Sequence, residues 1–85
     1  LLLEDLGLDP ELYTELAVVM HKMEQLPALQ REALILFHIG DLPLEEIRNI
    51  QGGSLSAVKQ RIKRGRERLM QLLTGPQRKV VTLIF

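Results

Sequence analysis

Residues 54–69 read SLSAVKQRIKRGRERL, and the architecture of the domain can be inferred outward from them. Apolar or small residues recur at intervals of three and four along it and just beyond it, at Leu55, Val58, Ile62, Gly65, Leu69 and Leu72. That spacing is typical of one stripe of an amphipathic helix. The other faces carry basic side chains at Lys59, Arg61, Lys63, Arg64, Arg66 and Arg68. The pattern predicts a helix that packs by its stripe on a small core and offers its outer face to phosphate.

The composition limits the class of protein. The chain has 85 residues, enough for one small domain, and no cysteine, which excludes disulfides and cysteine-based zinc sites. The two histidines, His21 and His38, lack a cluster of ligands, so we expect no metal and no cofactor. No apolar run approaches the roughly 20 residues that cross a bilayer, and no signal peptide is visible. We therefore expect no membrane partner.

A net charge of zero conceals an asymmetry between the two halves of the chain. Residues 1–46 hold ten acids and two bases, whereas residues 47–85 hold nine bases and one acid, Glu67. This asymmetry indicates a polyanionic partner for the C-terminal half. The alternative on charge alone is a self-neutralising domain whose halves attract each other.

Capping and breaking residues predict two helices in the first half of the chain. Asp9-Pro10 is a good helix start, and the helix runs to about Gln25 before Leu26-Pro27 breaks it. A second helix spans about residues 28–39. Gly40 ends it in the manner of a left-handed C′ glycine.

Two more helices are predicted after a short connector. The third spans about residues 43–51, with Leu44, Ile47 and Ile50 pointing inward, and Gly52-Gly53 turns the chain. Ser54 caps the fourth helix, which ends at about Leu73. The tail at residues 80–85, VVTLIF, has a strand-like composition but no partner strand in the chain. Packing on the core, pairing with another chain and the start of a further segment all remain open for it.

These elements predict an all-α fold, a four-helix domain that ends in a helix-turn-helix and has no wing. We expect residues 1–25 to form an N-terminal leader and the first helix. Residues 26–73 form the helix-turn-helix core, and residues 74–85 form the apolar C-terminal tail. The whole chain is expected to be one domain.

Three sub-motifs in and before the helix-turn-helix resemble a known family. They are LPALQREALIL at residues 26–36, LPLEEI at residues 42–47, and the basic stretch at residues 54–69. Their order and spacing are similar to region 4 of bacterial sigma factors, above all those of the extracytoplasmic-function group. The resemblance covers about residues 26–73 without a gap.

The resemblance implies a function in transcription initiation. Such a domain recognises the −35 promoter element with its last helix in the major groove and docks on the β flap of RNA polymerase, and anti-sigma factors often mask it. It implies a cytoplasmic protein that is not an enzyme and has no small-molecule substrate.

The resemblance also implies which residues bind DNA. Carried over by position, the recognition-helix residues are Lys59, Gln60, Arg61, Lys63 and Arg64, while Leu44 and Glu45 lie near the DNA backbone or an outer base. Lysine and arginine can donate to guanine and glutamine can pair with adenine, so we expect Lys59 and Gln60 near base edges. Arg61, Lys63, Arg64 and Arg66 would serve mostly phosphates. The helix start at Ser54 and Ser56 presents main-chain N–H groups that suit a phosphate.

Departures from the family pattern keep two alternatives open. Gly53 stands where the family has an apolar residue that plugs the turn, and Gly65 replaces an alanine, which together predict a looser core around the turn. Phe37 stands where many relatives have a base able to reach phosphate. One alternative is a sigma-like protein-interaction module with weakened DNA binding. The other is the helix-turn-helix output domain of a response regulator.

Overall fold

The computed structural model describes residues 10–85, which form five α-helices joined by short turns. The helices are α1 (Pro10–Met23), α2 (Ala28–Leu34), α3 (Leu44–Gln51), α4 (Leu55–Leu72) and α5 (Gly75–Ile84), and α2 continues into a π-helical segment at Ile35–Ile39. These residues contain no β-strand, so the all-α prediction is confirmed. None of the helices described is long and apolar enough to cross a membrane. The predicted cap at Asp9 lies outside the described residues.

The second helix ends where predicted, but the predicted left-handed glycine is wrong. Gly40 has a φ of −77°, and the left-handed residue is Asp41, with a φ of 55°. Glycine suits position 40 for another reason, since a Cβ there would lie 2.9 Å from the main-chain oxygen of Leu36. The N–H of Gly40 donates to the main-chain oxygen of Ile35 at 2.8 Å, the wide hydrogen bond of a π-helix, and this bond closes the segment.

The turn between α3 and α4 depends on two consecutive glycines. Gly52 and Gly53 have φ values of 84° and 87°, a region that residues with a Cβ rarely adopt. Ser54 follows, and its Oγ accepts a hydrogen bond from the N–H of Ala57 at 3.0 Å. The predicted cap of the basic helix is confirmed.

The tail with strand-like composition forms a fifth helix, α5, where the sequence predicted four helices. Gln77 Oε1 accepts a hydrogen bond from the N–H of Thr74 at 3.2 Å, and Pro76 occupies the first turn, so the start of α5 is well specified. Val80 and Val81 are buried where α5 packs along α1. Capping and burial therefore outweigh the modest strand preference of β-branched residues.

Two apolar clusters form the core. The larger joins four helices and contains Val19, Met23, Leu26, Leu34, Leu69, Leu73, Val80, Val81 and Phe85. The smaller lies beneath the helix-turn-helix and contains Ala33, Ile47 and Val58. Ile62, in the stripe of α4, packs against both clusters. The predicted stripe thus seats α4 on the whole core, which confirms the amphipathic reading of residues 54–69.

The inward face of α3 differs from the prediction. Ile47 is buried and Leu44 half-buried, but Ile50 is 57% exposed. At about 100° per residue, positions 44, 47 and 51 share one face, and position 50 falls outside it. Gln51 therefore faces α2 in place of Ile50.

α4 crosses α2 closely at Gly65. A Cβ at Gly65 would lie 3.2 Å from both Gln30 Cβ and Leu34 Cδ1, and 3.3 Å from the main-chain oxygen of Gln30. The prediction that Gly65 contributes to a looser core is therefore wrong. The missing side chain allows the two helices to approach each other more closely.

The end of α5 is held at a small aromatic site. The ring of His38 lies edge-on to those of Phe37 and Phe85, with centroid distances of 4.9 and 5.5 Å. Burial, and then the nearby charge of Arg66, lower the pKa of His38. The imidazole is thereby favoured in its neutral form, in which it packs between rings at low electrostatic cost.

We expect Gly65→Leu to reduce the free energy of unfolding by about 1–3 kcal/mol, because the added side chain must push α4 away from α2. Urea denaturation followed by circular dichroism measures this change. Gly65→Ala is the graded control, since a gain in helix propensity of up to about 1 kcal/mol opposes the crowding by one methyl group. A Gly65→Leu protein as stable as the wild type would contradict the close crossing.

Candidate nucleic-acid interface

One face of α4 carries exposed polar side chains that point away from the core. They are Lys59, Gln60, Lys63 and Arg64. At about 100° per residue, the four positions span an arc of about 140° opposite the apolar stripe. None of them makes a hydrogen bond or an ion pair with another residue in the range 10–85. We call these four side chains the basic face; their polar groups are accessible to a ligand.

One acidic residue, Glu67, limits how far along α4 the basic face can bind an anion. Glu67 is exposed and lies one turn beyond Lys63 on the same side of α4. A carboxylate at this place repels phosphate, so the surface suited to a polyanion is the N-terminal half of the helix. Such a surface includes the turn and the helix start.

The start of α4 adds main-chain donors to this surface. Ser54 and Ser56 are both exposed. The Oγ of Ser54 is engaged by the N–H of Ala57, which leaves the N–H groups of Leu55 and Ser56 among those that have no acceptor within the helix. Together with the positive end of the helix dipole, they suit a phosphate oxygen.

Arg61 makes hydrogen bonds within the protein. It is half-buried, and its Nη1 donates to Gln51 Oε1 at 3.1 Å and to the main-chain oxygen of Gly52 at 3.0 Å. Its Nη2 occupies the space next to Gly53, where a Cβ would lie only 2.9 Å from it. The guanidinium thus fills part of the space where the family pattern has an apolar plug. We revise the expectation for Arg61 from a phosphate contact to a residue that holds the turn.

Arg66 has a comparable internal use at the other border of the stripe. It is half-buried, and its Nε donates to the main-chain oxygen of Phe85 at 3.0 Å. This bond ties the end of α5 to α4. We therefore revise its expected role from a phosphate contact to a connection between helices.

The two expected site residues on α3 separate. Leu44 is half-buried and packs against the smaller apolar cluster, whereas Glu45 is exposed in the first turn of the helix. The structure therefore brings Glu45, but not the bulk of the Leu44 side chain, to the surface. No group of residues that could hold a metal ion occurs in residues 10–85.

Gln51 is a residue of this region that the sequence reasoning missed. Its side chain contacts α2 and α4, and its position continues the stripe of Leu44 and Ile47 at spacings of three and four. The helix pattern places position 51 on the inward face of α3. The presence of a polar residue at such a position was the signal that could have revealed the role of Gln51.

Comparison with known families agrees with the helix-turn-helix geometry. A family model described as "Sigma-70, region 4" matches residues 16–69, well over half of the chain. The match begins in α1, contains the turn and the whole basic face, and ends in α4 before α5. Neither the curated proteins nor the solved structures give a match.

We expect Arg61→Met to lower the free energy of unfolding by about 1–3 kcal/mol, because it leaves hydrogen-bonding groups at the turn without their charged partner. Arg64→Met removes the same charge from an exposed position and should change that free energy by less than about 0.5 kcal/mol. Urea denaturation of both variants at one salt concentration makes the comparison. Equal losses would contradict the different roles that we assign to the two arginines.

Proposed function

The chain belongs to the sigma-70 region 4 family, and on this premise we propose that it recognises the −35 element of a promoter with α4 in the major groove. Domains of this family are generally DNA-binding modules that recognise −35 elements, and they are not enzymes.

The basic face is the observation that carries the proposal. A helix that commits one side to the core and keeps an exposed, unpaired polar arc on the other has the shape and the donors that a major groove accepts. We assign Lys59 and Gln60 to base edges. Lys63 and Arg64, further along the helix, serve phosphates.

Helix starts supply the remaining contacts. The exposed N-terminus of α4, at Ser54 and Ser56, lies at the turn, and the exposed N-terminus of α3, at Glu45, lies at the end of α3 remote from the turn. We propose that the first of these binds a phosphate through main-chain N–H groups, which fixes the register of α4 on the duplex. Glu45 would contact an outer base, where a carboxylate can accept a hydrogen bond from cytosine.

The partners beyond DNA follow from the family. We propose that the domain docks on the β flap of RNA polymerase in the cytoplasm, and that an anti-sigma factor can mask it. We propose residues 26–73 as the DNA-reading core. Residues 1–25 and 74–85 would support it within the same domain.

A protein-interaction module remains the second candidate. Leu83 is 73% exposed beside a groove between α1 and α5 that is lined with leucine and valine. An exposed leucine at such a place suits a protein partner better than DNA. Membership of the sigma family favours either candidate over the output domain of a response regulator.

We expect the whole chain to enrich a sequence from a random duplex library and to bind it with steep salt dependence. The three basic side chains of the basic face, and a phosphate bound at the start of α4, predict a slope of log(1/Kd) against log salt of about −2 to −4. Fluorescence anisotropy at several salt concentrations gives the slope. A failure to bind any duplex at low salt, together with binding to the polymerase flap, would favour the interaction module.

Two substitutions on the basic face should have different consequences. Arg64→Ala should lower the affinity for the enriched duplex and for a scrambled duplex by similar factors, because both duplexes present the same phosphates. Gln60→Ala should mainly lower the affinity for the enriched duplex, with a loss of binding free energy of about 1–3 kcal/mol at one base pair. Affinities for duplexes substituted base by base identify the position. Identical effects of the two variants on both duplexes would contradict the assigned roles.

A further inference from the structure

Three side chains link the end of α3 to the helices on either side of it. Gln51 Nε2 donates to the main-chain oxygen of Leu29 at 2.9 Å and to Glu32 Oε1 at 3.1 Å, both on α2. Gln51 Oε1 accepts from Arg61 Nη1 at 3.1 Å, on α4. We call Glu32, Gln51 and Arg61 the polar relay.

Glutamine is suited to the centre of this relay by its chemistry. Its amide offers donors on one atom and an acceptor on the other, and here both atoms are used. A leucine at position 51 could fill space on the same inward face, but it would leave the hydrogen-bonding groups of α2 and α4 unconnected. A glutamate could accept from Arg61 but could not donate to α2.

The relay meets α4 within the part of the helix that carries the basic face. Arg61 directly follows Gln60, and Lys63 and Arg64 come just after it. The close crossing at Gly65 sets how far α4 lies from α2. The relay adds directional bonds near the start of α4, which resist rotation of the helix about its own axis.

Rotation matters unequally for the two kinds of DNA contact. Hydrogen bonds to base edges need their donors at a fixed distance and angle, so a small rotation of α4 removes them. Contacts from long lysine and arginine side chains to phosphates tolerate such a rotation, because the side chains can adjust. A residue that fixes only the rotation should therefore affect sequence preference more than overall affinity.

We infer that Gln51 is a positioning residue for base recognition, acting through Arg61 on the orientation of α4. The inference rests on the proposed function, since it requires α4 to read bases. It assigns a role in DNA recognition to a residue that lies on the inward face of α3.

The principal test is Gln51→Met in the whole chain. Methionine has nearly the same length, removes the three hydrogen bonds and leaves the charge unchanged. We expect the affinity for the enriched duplex to fall by about five- to ten-fold, while that for a scrambled duplex changes by less than about two-fold. The slope with salt should stay as in the wild type. All measurements are made well below the unfolding midpoint, with circular dichroism verifying that both proteins are fully folded.

Gln71→Met is the matched control. Gln71 is exposed on α4, at the end remote from the turn, and its side chain has no hydrogen bond to another described residue. The same chemical change there should leave both affinities as in the wild type. If Gln71→Met lowered sequence preference as much as Gln51→Met, the preference would not depend on the relay, and the inference would be overturned.

Gln51→Glu combined with Glu32→Ala separates the two halves of the relay. The double variant keeps an acceptor for Arg61, loses the bonds to α2 and leaves the net charge unchanged, and it avoids the repulsion that a carboxylate at position 51 would meet from Glu32. Positioning through Arg61 predicts that this variant retains most of the preference for the enriched duplex. Loss of preference equal to that of Gln51→Met would overturn the route through Arg61.

The remaining outcomes distinguish this inference from the proposed function. If Arg64→Ala weakens DNA binding while Gln51→Met changes neither affinity, the function stands and the inference fails. If Gln51→Met weakens both duplexes equally, Gln51 has no part in base recognition. If the wild-type chain enriches no duplex, the proposed function fails first and the inference falls with it.

Discussion

The close crossing of α4 over α2 determines how the other elements of this domain are arranged. Gly65 has no side chain to separate the helices, so Leu34 and Gln30 of α2 lie close to the place that a Cβ at position 65 would occupy. With the apolar stripe seated at this distance, both core clusters close around the same helix. The direction of the basic face is then determined, because residues on the opposite side of a helix must point to solvent.

The use of each basic side chain follows from its angle around α4 rather than from its charge. Arg61 and Arg66 lie at the two borders of the apolar stripe, half-buried, where main-chain oxygens of the turn and of Phe85 are within reach. Lys63 and Arg64 lie on the outer side and have no such acceptor among residues 10–85. Counting bases in the sequence therefore overstates the charge that an interface on this helix can offer.

Features predicted correctly from the sequence depend on local patterns, and some of those missed depend on contacts between distant segments. Two such patterns belong to α4 alone and can be recognised in the sequence. They are the spacing of Val58, Ile62 and Leu69, and the cap at Ser54. In the two turns of α3, hydrophobicity alone favours Ile50 as the inward residue, and only the spacing from Leu44 and Ile47 favours position 51. The capping box at Thr74 and Gln77 is a local signal of the helical tail that the sequence analysis did not use. The internal role of Arg61 depends on what packs against it, which no local pattern contains.

The turn shows how an apolar plug can be replaced by a set of polar groups. Gly53 leaves room that a side chain would occupy, and Arg61 Nη2 would lie 2.9 Å from a Cβ placed there. The guanidinium is held in that room by Gln51 and by the main-chain oxygen of Gly52. A bulkier residue at position 53 would displace Arg61. The loss of Gln51 would leave Arg61 with only its hydrogen bond to the main-chain oxygen of Gly52. The three residues therefore act as one unit, and their contributions to stability should not add independently.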